Sequence, residues 1–263
     1  MAVQAQGVNV RLGGRTIIRD VALSAREGAI SIIVGPNGSG KTTLMRALTG
    51  EIASSGAIGL NGRPLGDYRQ SELAALRAVL PQETTLSFPF TVREIVRLGI
   101  VAGAARPPHG GERDRVEEAL ERVDLAGFAG RFYQELSGGE RQRVQLARVL
   151  CQIWEPRLDG APRWLFLDEP VSSLDIRHQL TIMEIARRYA AGGGGVVAIM
   201  HDLNLSAMYA DALIVMSHGQ IAAAGPPATV LSDGLLADVF GCPLRIGEIP
   251  QDRLFILPHS ARI

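Results

Sequence analysis

The chain of 263 residues balances 27 basic against 27 acidic side chains, so no global positive field draws it to nucleic acid. No run approaches the roughly 18 apolar residues of a membrane span, and Met1–Val10 lacks the basic start and apolar core of an export signal. Its only cysteines, Cys151 and Cys242, make no metal-type pair, suit a reduced cytoplasmic setting and read as small packing residues.

In chain order, Val8–Leu12, Val21–Ala25, Ile30–Val34 and Ala57–Leu60 are short apolar or alternating runs split by Gly-Gly, Glu-Gly and Asn-Gly turns, the pattern of strands. After Gln82 the period changes. Val92–Leu98, Arg113–Val123 and Gly139–Trp154 carry helical spacing, with a Pro/Gly loop at Ala104–Gly111. Trp164–Leu167 and Val196–Met200 are continuous apolar runs, as expected of strands buried on both faces of a parallel sheet, with a helix over Asp175–Tyr189 between them. Gly192–Gly195 reads as a flexible turn, and Ala212–Met216 with Gln220–Ala224 as a terminal hairpin. The pattern is an α/β core (residues 1–83 and 151–263) interrupted by a helical insert (84–150).

Gly35-Pro36-Asn37-Gly38-Ser39-Gly40-Lys41-Thr42-Thr43 follows the strand Ile30–Val34 and opens the helix Thr42–Leu48. This G-x-x-x-x-G-K-T spacing turns backbone N–H groups around phosphate oxygens, brings Lys41 to the β/γ-phosphates and offers the Thr42 hydroxyl to Mg²⁺. Such a loop sits where a helix N-terminus faces an anion. Trp164-Leu-Phe-Leu-Asp168-Glu169 is an apolar strand ending in two carboxylates. Asp168 can hold Mg²⁺ through its water shell, and Glu169 is placed to polarise an attacking water. Gln82 can touch the metal or that water. His201 ends the Val196–Met200 strand, where it can reach a γ-phosphate.

Leu136-Ser137-Gly138-Gly139-Glu140 is a second glycine turn, a hydroxyl and backbone donors at a helix start with no phosphate of their own. In this order the phosphate loop, Gln82, Leu136–Gln142, Asp168-Glu169, Ser172–Asp175 and His201 resemble the ATPase subunits of ABC transporters along nearly the whole chain. The resemblance implies a P-loop NTPase core with an N-terminal antiparallel β subdomain and an inserted α-helical subdomain. It further implies a head-to-tail homodimer binding two ATP molecules, each shared between one phosphate loop and the other subunit's Ser137–Gly139, with Asp175 counted among the nucleotide contacts. A kinase or GTPase reading leaves Leu136–Gln142 and His201 unexplained. A soluble relative working on DNA or ribosomes usually carries a coiled-coil insert or a second cassette, and neither is visible.

Leu86–Ile95 with Arg97-Leu-Gly99 resembles the ATPases of importers for iron-siderophores, cobalamin and haem. That implies a permease docked near Phe88–Arg97, a periplasmic binding protein acting indirectly, no nucleic acid, and a place on the cytoplasmic face of the inner membrane. Phe88 and Phe90 can equally fill the insert's core. The long passage Gln152-Ile-Trp154 through Arg163 is similar to the haem import ATPases, with siderophore or cobalamin as the alternative cargo. Two departures stand out. Leu12 occupies the place where an aromatic residue usually stacks on adenine, and Glu140 replaces a commoner glutamine at what reads as a solvent-facing edge.

Overall fold

The computed structural model describes residues 1–82, 88–103, 111–249 and 254–261. Strands β1 (Ala2–Leu12) and β2 (Arg15–Arg26) form a hairpin about Gly13-Gly14, flanked by β4 (Ser55–Leu60) and β5 (Arg63–Pro64) in the order β2-β1-β4-β5. Both hairpin strands are longer than their apolar runs suggest. Register shifts between Ala5, Val8 and Val10 slip the pairing, so the two-residue alternation restarts mid-strand.

The second sheet has the order β12-β11-β3-β10-β9-β6. It joins β3 (Ile30–Val34), β6 (Arg77–Leu80), β9 (Trp164–Asp168), β10 (Gly195–Ile199), β11 (Ala212–Ser217) and β12 (Gln220–Gly225). All pairs are parallel except the edge hairpin β11–β12. Residues in β3, β9 and β10 are buried on both faces, which is why these runs show no alternation. Ile30, Ile32, Leu165 and Val196 face one apolar cluster, and Ile33, Trp164, Phe166 and Val197 face the other.

The second cluster holds α1 (Lys41–Leu48) and the β1–β2 hairpin. The first holds α3 (Val92–Ala102), α4 (Gly111–Arg122), α5 (Gly138–Gln152) and α6 (Ile176–Ala191). One continuous apolar cluster therefore runs from the parallel sheet into the helical insert. Short helices α2 (Gln70–Leu76), α7 (Leu203–Tyr209), α8 (Pro227–Val230) and α9 (Asp233–Phe240) complete the chain.

Three expectations change. Gly192–Gly195 is more than a flexible turn: a Cβ on Gly194 would lie 2.4 Å from the Tyr189 ring, and one on Gly195 would lie 2.3 Å from the Trp164 ring. Both aromatic rings fill space that side chains would occupy, and Gly195 already belongs to β10. Cys242 is exposed, not a packing residue of the core, whereas Cys151 is buried and its thiol is pushed up to about 12 by that burial. Residues 104–110 of the expected Pro/Gly loop lie outside the described residues, and Gly111 is already helical.

The passage Gln152–Arg163 is an ordered strap. It contains the hairpin of β7 (Arg157–Leu158) and β8 (Ala161–Pro162). Gln152 donates to the carbonyls of Ala74 and Arg77, Arg157 pairs with Glu27, and Asn61 bridges the Pro162 carbonyl and the Trp164 indole. The strap therefore ties the antiparallel sheet to the parallel one.

Candidate active site

The phosphate loop spans from the end of β3 to the start of α1 and forms one wall of a cleft of about 560 Å³. Gly35 must be glycine. Its φ of 152° is joined by a backbone approach so close that a Cβ would lie 2.2 Å from the Met216 carbonyl oxygen. Gly40, at φ 100°, caps α1, whose first-turn N–H groups have no partner within the helix. Lys41 is buried within the loop, its Nζ donating to the Gly35 and Pro36 carbonyls at 2.9 and 3.1 Å. Burial pushes its pKa below the ordinary lysine value. The Ser39 hydroxyl is buried without a partner. Unpaired donors, an enclosed cation and an orphaned hydroxyl make this concavity fit for a phosphate chain.

Three side chains predicted from sequence meet across the cleft. Glu169 follows β9 in the left-handed region at φ 52°. Its Oε2 accepts from Gln82 Nε2 at 2.9 Å, and its Oε1 lies 2.5 Å from His201 Nε2. The backbone around it is pinned, its N–H donating to Ile199 and its carbonyl accepting from Gln142 Nε2 at 2.9 Å and Ser172 Oγ at 3.2 Å. A glutamate held with φ positive stores strain of about 1–3 kcal/mol, which persists only where surroundings over-determine it. Here they do.

Asp168 is buried at the end of β9, and its Oδ1 accepts from Thr42 Oγ1 at 3.4 Å. Burial raises its carboxyl above the usual range, with the Thr42 bond opposing. A hydroxyl beside a carboxylate is a hard-oxygen donor set of the kind Mg²⁺ takes while sharing its shell with phosphate oxygens and water. Among the described residues no three His, Cys, Asp or Glu side chains gather into a protein cage for a metal. The donors present fit a nucleotide-shared Mg²⁺.

Asn37, Gly38 and Thr43 also line this cleft, whereas Ser137–Gly139, Asp175 and Leu12 stand apart from it. Ser137 caps α5, Gly138 and Gly139 form its first turn, and none of the three lines the phosphate-loop cleft of its own chain. Glu140 is not a passive solvent-facing change. It closes a capping box, accepting the Ser137 N–H at 2.7 Å while the Ser137 hydroxyl accepts the Glu140 N–H, and the Ser137 N–H, followed by the Ser137 side chain, lowers its carboxyl pKa. Asp175 caps α6, and the His178 backbone N–H it accepts is the largest cause of its lowered pKa. Leu12 lies exposed at the hairpin tip, while Ile17 of β2 lines the cleft. Sequence reasoning missed Ile17 and the grip of Gln142 on Glu169. The latter was foreshadowed only by the place of Gln142 at the end of Leu136–Gln142, the signature segment of the resemblance.

The profile of the ABC transporter family matches residues 18–172, more than half of the chain. The chain is 60% identical over 260 residues to the hemin import ATP-binding protein HmuV of Mesorhizobium japonicum, covering 98% of this chain and 99% of that one. It is 59% identical to the like-named protein of Ruegeria sp., covering 100% of both. Among solved structures it resembles CbiO1 from Clostridium perfringens, part of an ABC transporter complex, with TM-score 0.70, 26% identity and 86% and 89% coverage. It also resembles a dimeric ATP-binding cassette bound to ADP and Pi, with TM-score 0.73, 25% identity and 86% and 98% coverage. The chain belongs to the ABC transporter family. Within it, this chain is the ATP-binding, ATP-hydrolysing cassette. Among the described residues no helix is long and apolar enough to cross a membrane.

Proposed function

We propose that the chain works as a head-to-tail homodimer on the cytoplasmic face of the bacterial inner membrane, where it hydrolyses ATP with Mg²⁺ to drive haem import through a permease. The observation that carries the chemistry is Glu169, oriented by Gln82 on one oxygen and by His201 on the other at the mouth of the phosphate-loop cleft.

Lys41 and the N–H groups of the loop and first turn of α1 hold the β- and γ-phosphates. Glu169 accepts a proton from water as the water oxygen bonds the γ-phosphorus and the bond to the bridging oxygen of ADP breaks. His201 fixes the carboxylate and faces the γ-phosphate. Mg²⁺, held by Thr42 and Asp168, would neutralise charge on the β- and γ-oxygens. Because Ser137–Gly139 lie off their own chain's cleft, they close the site of the partner copy, whose γ-phosphate meets the α5 N-terminus.

The permease seat is the helical subdomain's exposed face, where Phe88 is 70% and Phe132 46% exposed. The two aromatics are neighbours, because Phe132 bridges Thr91 and Gln134 reaches the Phe88 carbonyl. Phe90, by contrast, packs on the core. Leu86 and Ser87 of the segment Leu86–Ile95 lie outside the described residues. Arg93 pairs with Glu117 of α4, which ties the seat to the rest of the subdomain. Haem as cargo is supported by full-length likeness to hemin import proteins.

The test is reconstitution with the cognate permease and periplasmic binding protein in liposomes. ATP-dependent inward movement of haem is expected. Movement of a ferric siderophore or cobalamin without haem would overturn the cargo and leave the import ATPase standing.

A further inference from the structure

A histidine outside the catalytic cleft joins the two subdomains. Asp175 belongs to the core, at the N-terminus of α6. Asp124 belongs to the helical subdomain, between α4 and α5, where it adopts φ 58°. His178 stands between them with Nδ1 2.8 Å from both Asp175 carboxylate oxygens and Nε2 3.3 Å from Asp124 Oδ2. Its side chain is 18% exposed.

The charged groups facing this ring are few. Arg177, from α6, reaches Asp124 Oδ2 at 3.3 Å. Arg143, from α5, donates to the Asp124 and Val123 carbonyls at 2.7 and 3.1 Å and lowers the Asp175 pKa through its charge. The loop leading into Asp175 lies directly on the signature turn, since a Cβ on Gly139 would fall 3.0 Å from Leu174 Cδ2 and 3.2 Å from the Ser173 carbonyl. Whatever fixes Asp175 against Asp124 therefore also fixes Ser137–Gly139 against the core.

We propose that His178 is a positioning residue, a proton-dependent latch between Asp175 and Asp124 that sets where the Ser137–Gly139 clamp is held. This rests on the reading of that clamp as the partner copy's nucleotide contact. A neutral imidazole owns a single N–H and can serve one carboxylate, leaving a ring lone pair facing the other. A protonated ring donates to both. Histidine is the side chain that makes this exchange near neutral pH. The latch therefore closes on acidification and loosens toward alkaline pH.

The experiment has two arms. In the nucleotide-free cassette, solvent exchange of the His178 ring N–H protons is followed by NMR across the neutral pH range in the parent and in Asp124→Asn. On the acid side the parent should show both ring N–H protons protected and the variant only the one facing Asp175, and equal protection in the two overturns the latch.

In the permease complex, the KM for ATP is measured across the same pH range for the parent and for His178→Asn. The shorter amide retains a donor near Asp175 and loses reach to Asp124. The parent should bind ATP about two- to fivefold more tightly than the variant on the acid side, the scale of a part-exposed charge pair. The difference should vanish on the alkaline side. Superimposable profiles overturn the proposal. A complex without any ATPase activity would instead sink the functional reading, and the NMR arm would still decide the latch.

Discussion

Glu169→Gln removes the proposed base and almost nothing else. Glutamine has the same length, so its amide oxygen can go on accepting from Gln82 while its N–H₂ donates to His201 Nε2 in the matching tautomer. The backbone anchors to Ile199, Gln142 and Ser172 do not involve the side chain. Loss of stability should stay near the scale of one hydrogen bond, about 1 kcal/mol. The chemical step suffers far more, because an amide cannot take the proton of the attacking water. Losing a positioned base costs about 10²–10⁴-fold, or roughly 2.7–5.4 kcal/mol of barrier at 1.36 kcal/mol per decade. Phosphate release by the reconstituted complex should fall by that factor, while ATP affinity of the isolated cassette holds and an ATP-bound dimer accumulates on gel filtration. Turnover within tenfold of the parent, with ATP affinity unchanged, would falsify the assignment of Glu169 as base.

Lys41→Ala should weaken ATP binding by the isolated cassette, whereas Ser137→Ala should spare it and reduce only turnover in the complex; equal losses of monomer affinity would refute a site shared between copies. Gly99→Ala should destabilise the α3–α5 contact, since the new Cβ would stand 1.9 Å from the Arg148 carbonyl oxygen. About 1–3 kcal/mol of overpacking outweighs the roughly 1 kcal/mol of helix propensity that alanine restores, so a raised melting temperature would contradict the packing described. Asp168→Asn should stabilise the nucleotide-free cassette at neutral pH while stopping Mg²⁺-dependent hydrolysis. Burial raises the Asp168 carboxyl, so its contribution is fully present below the ordinary carboxylate value and lost as pH rises through the raised folded value. The variant's advantage in melting temperature should accordingly shrink as the pH falls toward the ordinary carboxylate value, and a variant less stable than the parent at neutral pH would reverse the argument.

What could be read in the sequence was chemistry confined to short spacings. The phosphate loop needs its glycines and lysine within nine residues, and β9 carries its two carboxylates at its own end. Strands buried on both faces announced themselves as unbroken apolar runs. The structure departed where a residue's role depends on a distant partner. Gly194 and Gly195 look like part of a flexible turn until the rings of Tyr189 and Trp164 are seen filling the space beside them. Nothing near Leu12 indicates that Ile17, five residues on, is the hairpin side chain that reaches the cleft, because bulges in β1 and β2 shift which positions face inward. Glu140 is the exception: Ser-x-x-Glu is the spacing of a capping box, so its closure on Ser137 was legible at short range. His178 and Asp124 lie 54 residues apart and meet only in the fold.

The placement of Glu169 explains how one carboxylate can report on two subdomains at once. Its conformation is disfavoured for a residue with a side chain, so the backbone will not hold it there unaided. The strain is offset from three directions: β10 through the Ile199 carbonyl, the following loop through Ser172, and the signature helix α5 through Gln142. The first two belong to the core and do not change when the helical subdomain shifts. The third does. Gln142 lies on the same helix whose N-terminus, at Ser137, is the proposed contact with the partner copy's nucleotide, and that helix packs against α3. A rotation of the helical subdomain that spoils the Ser137 clamp therefore also withdraws the Gln142 amide from the Glu169 carbonyl and releases the backbone that aims the base. Gln82 adds a link through the carboxylate itself, from the end of β6 just before the chain leaves for the insert. If Ser137–Gly139 clamp the partner's nucleotide and Glu169 is the base, as proposed, clamp closure and base alignment are one event on this geometry, and such an ATPase would stay idle until its helical subdomain is seated.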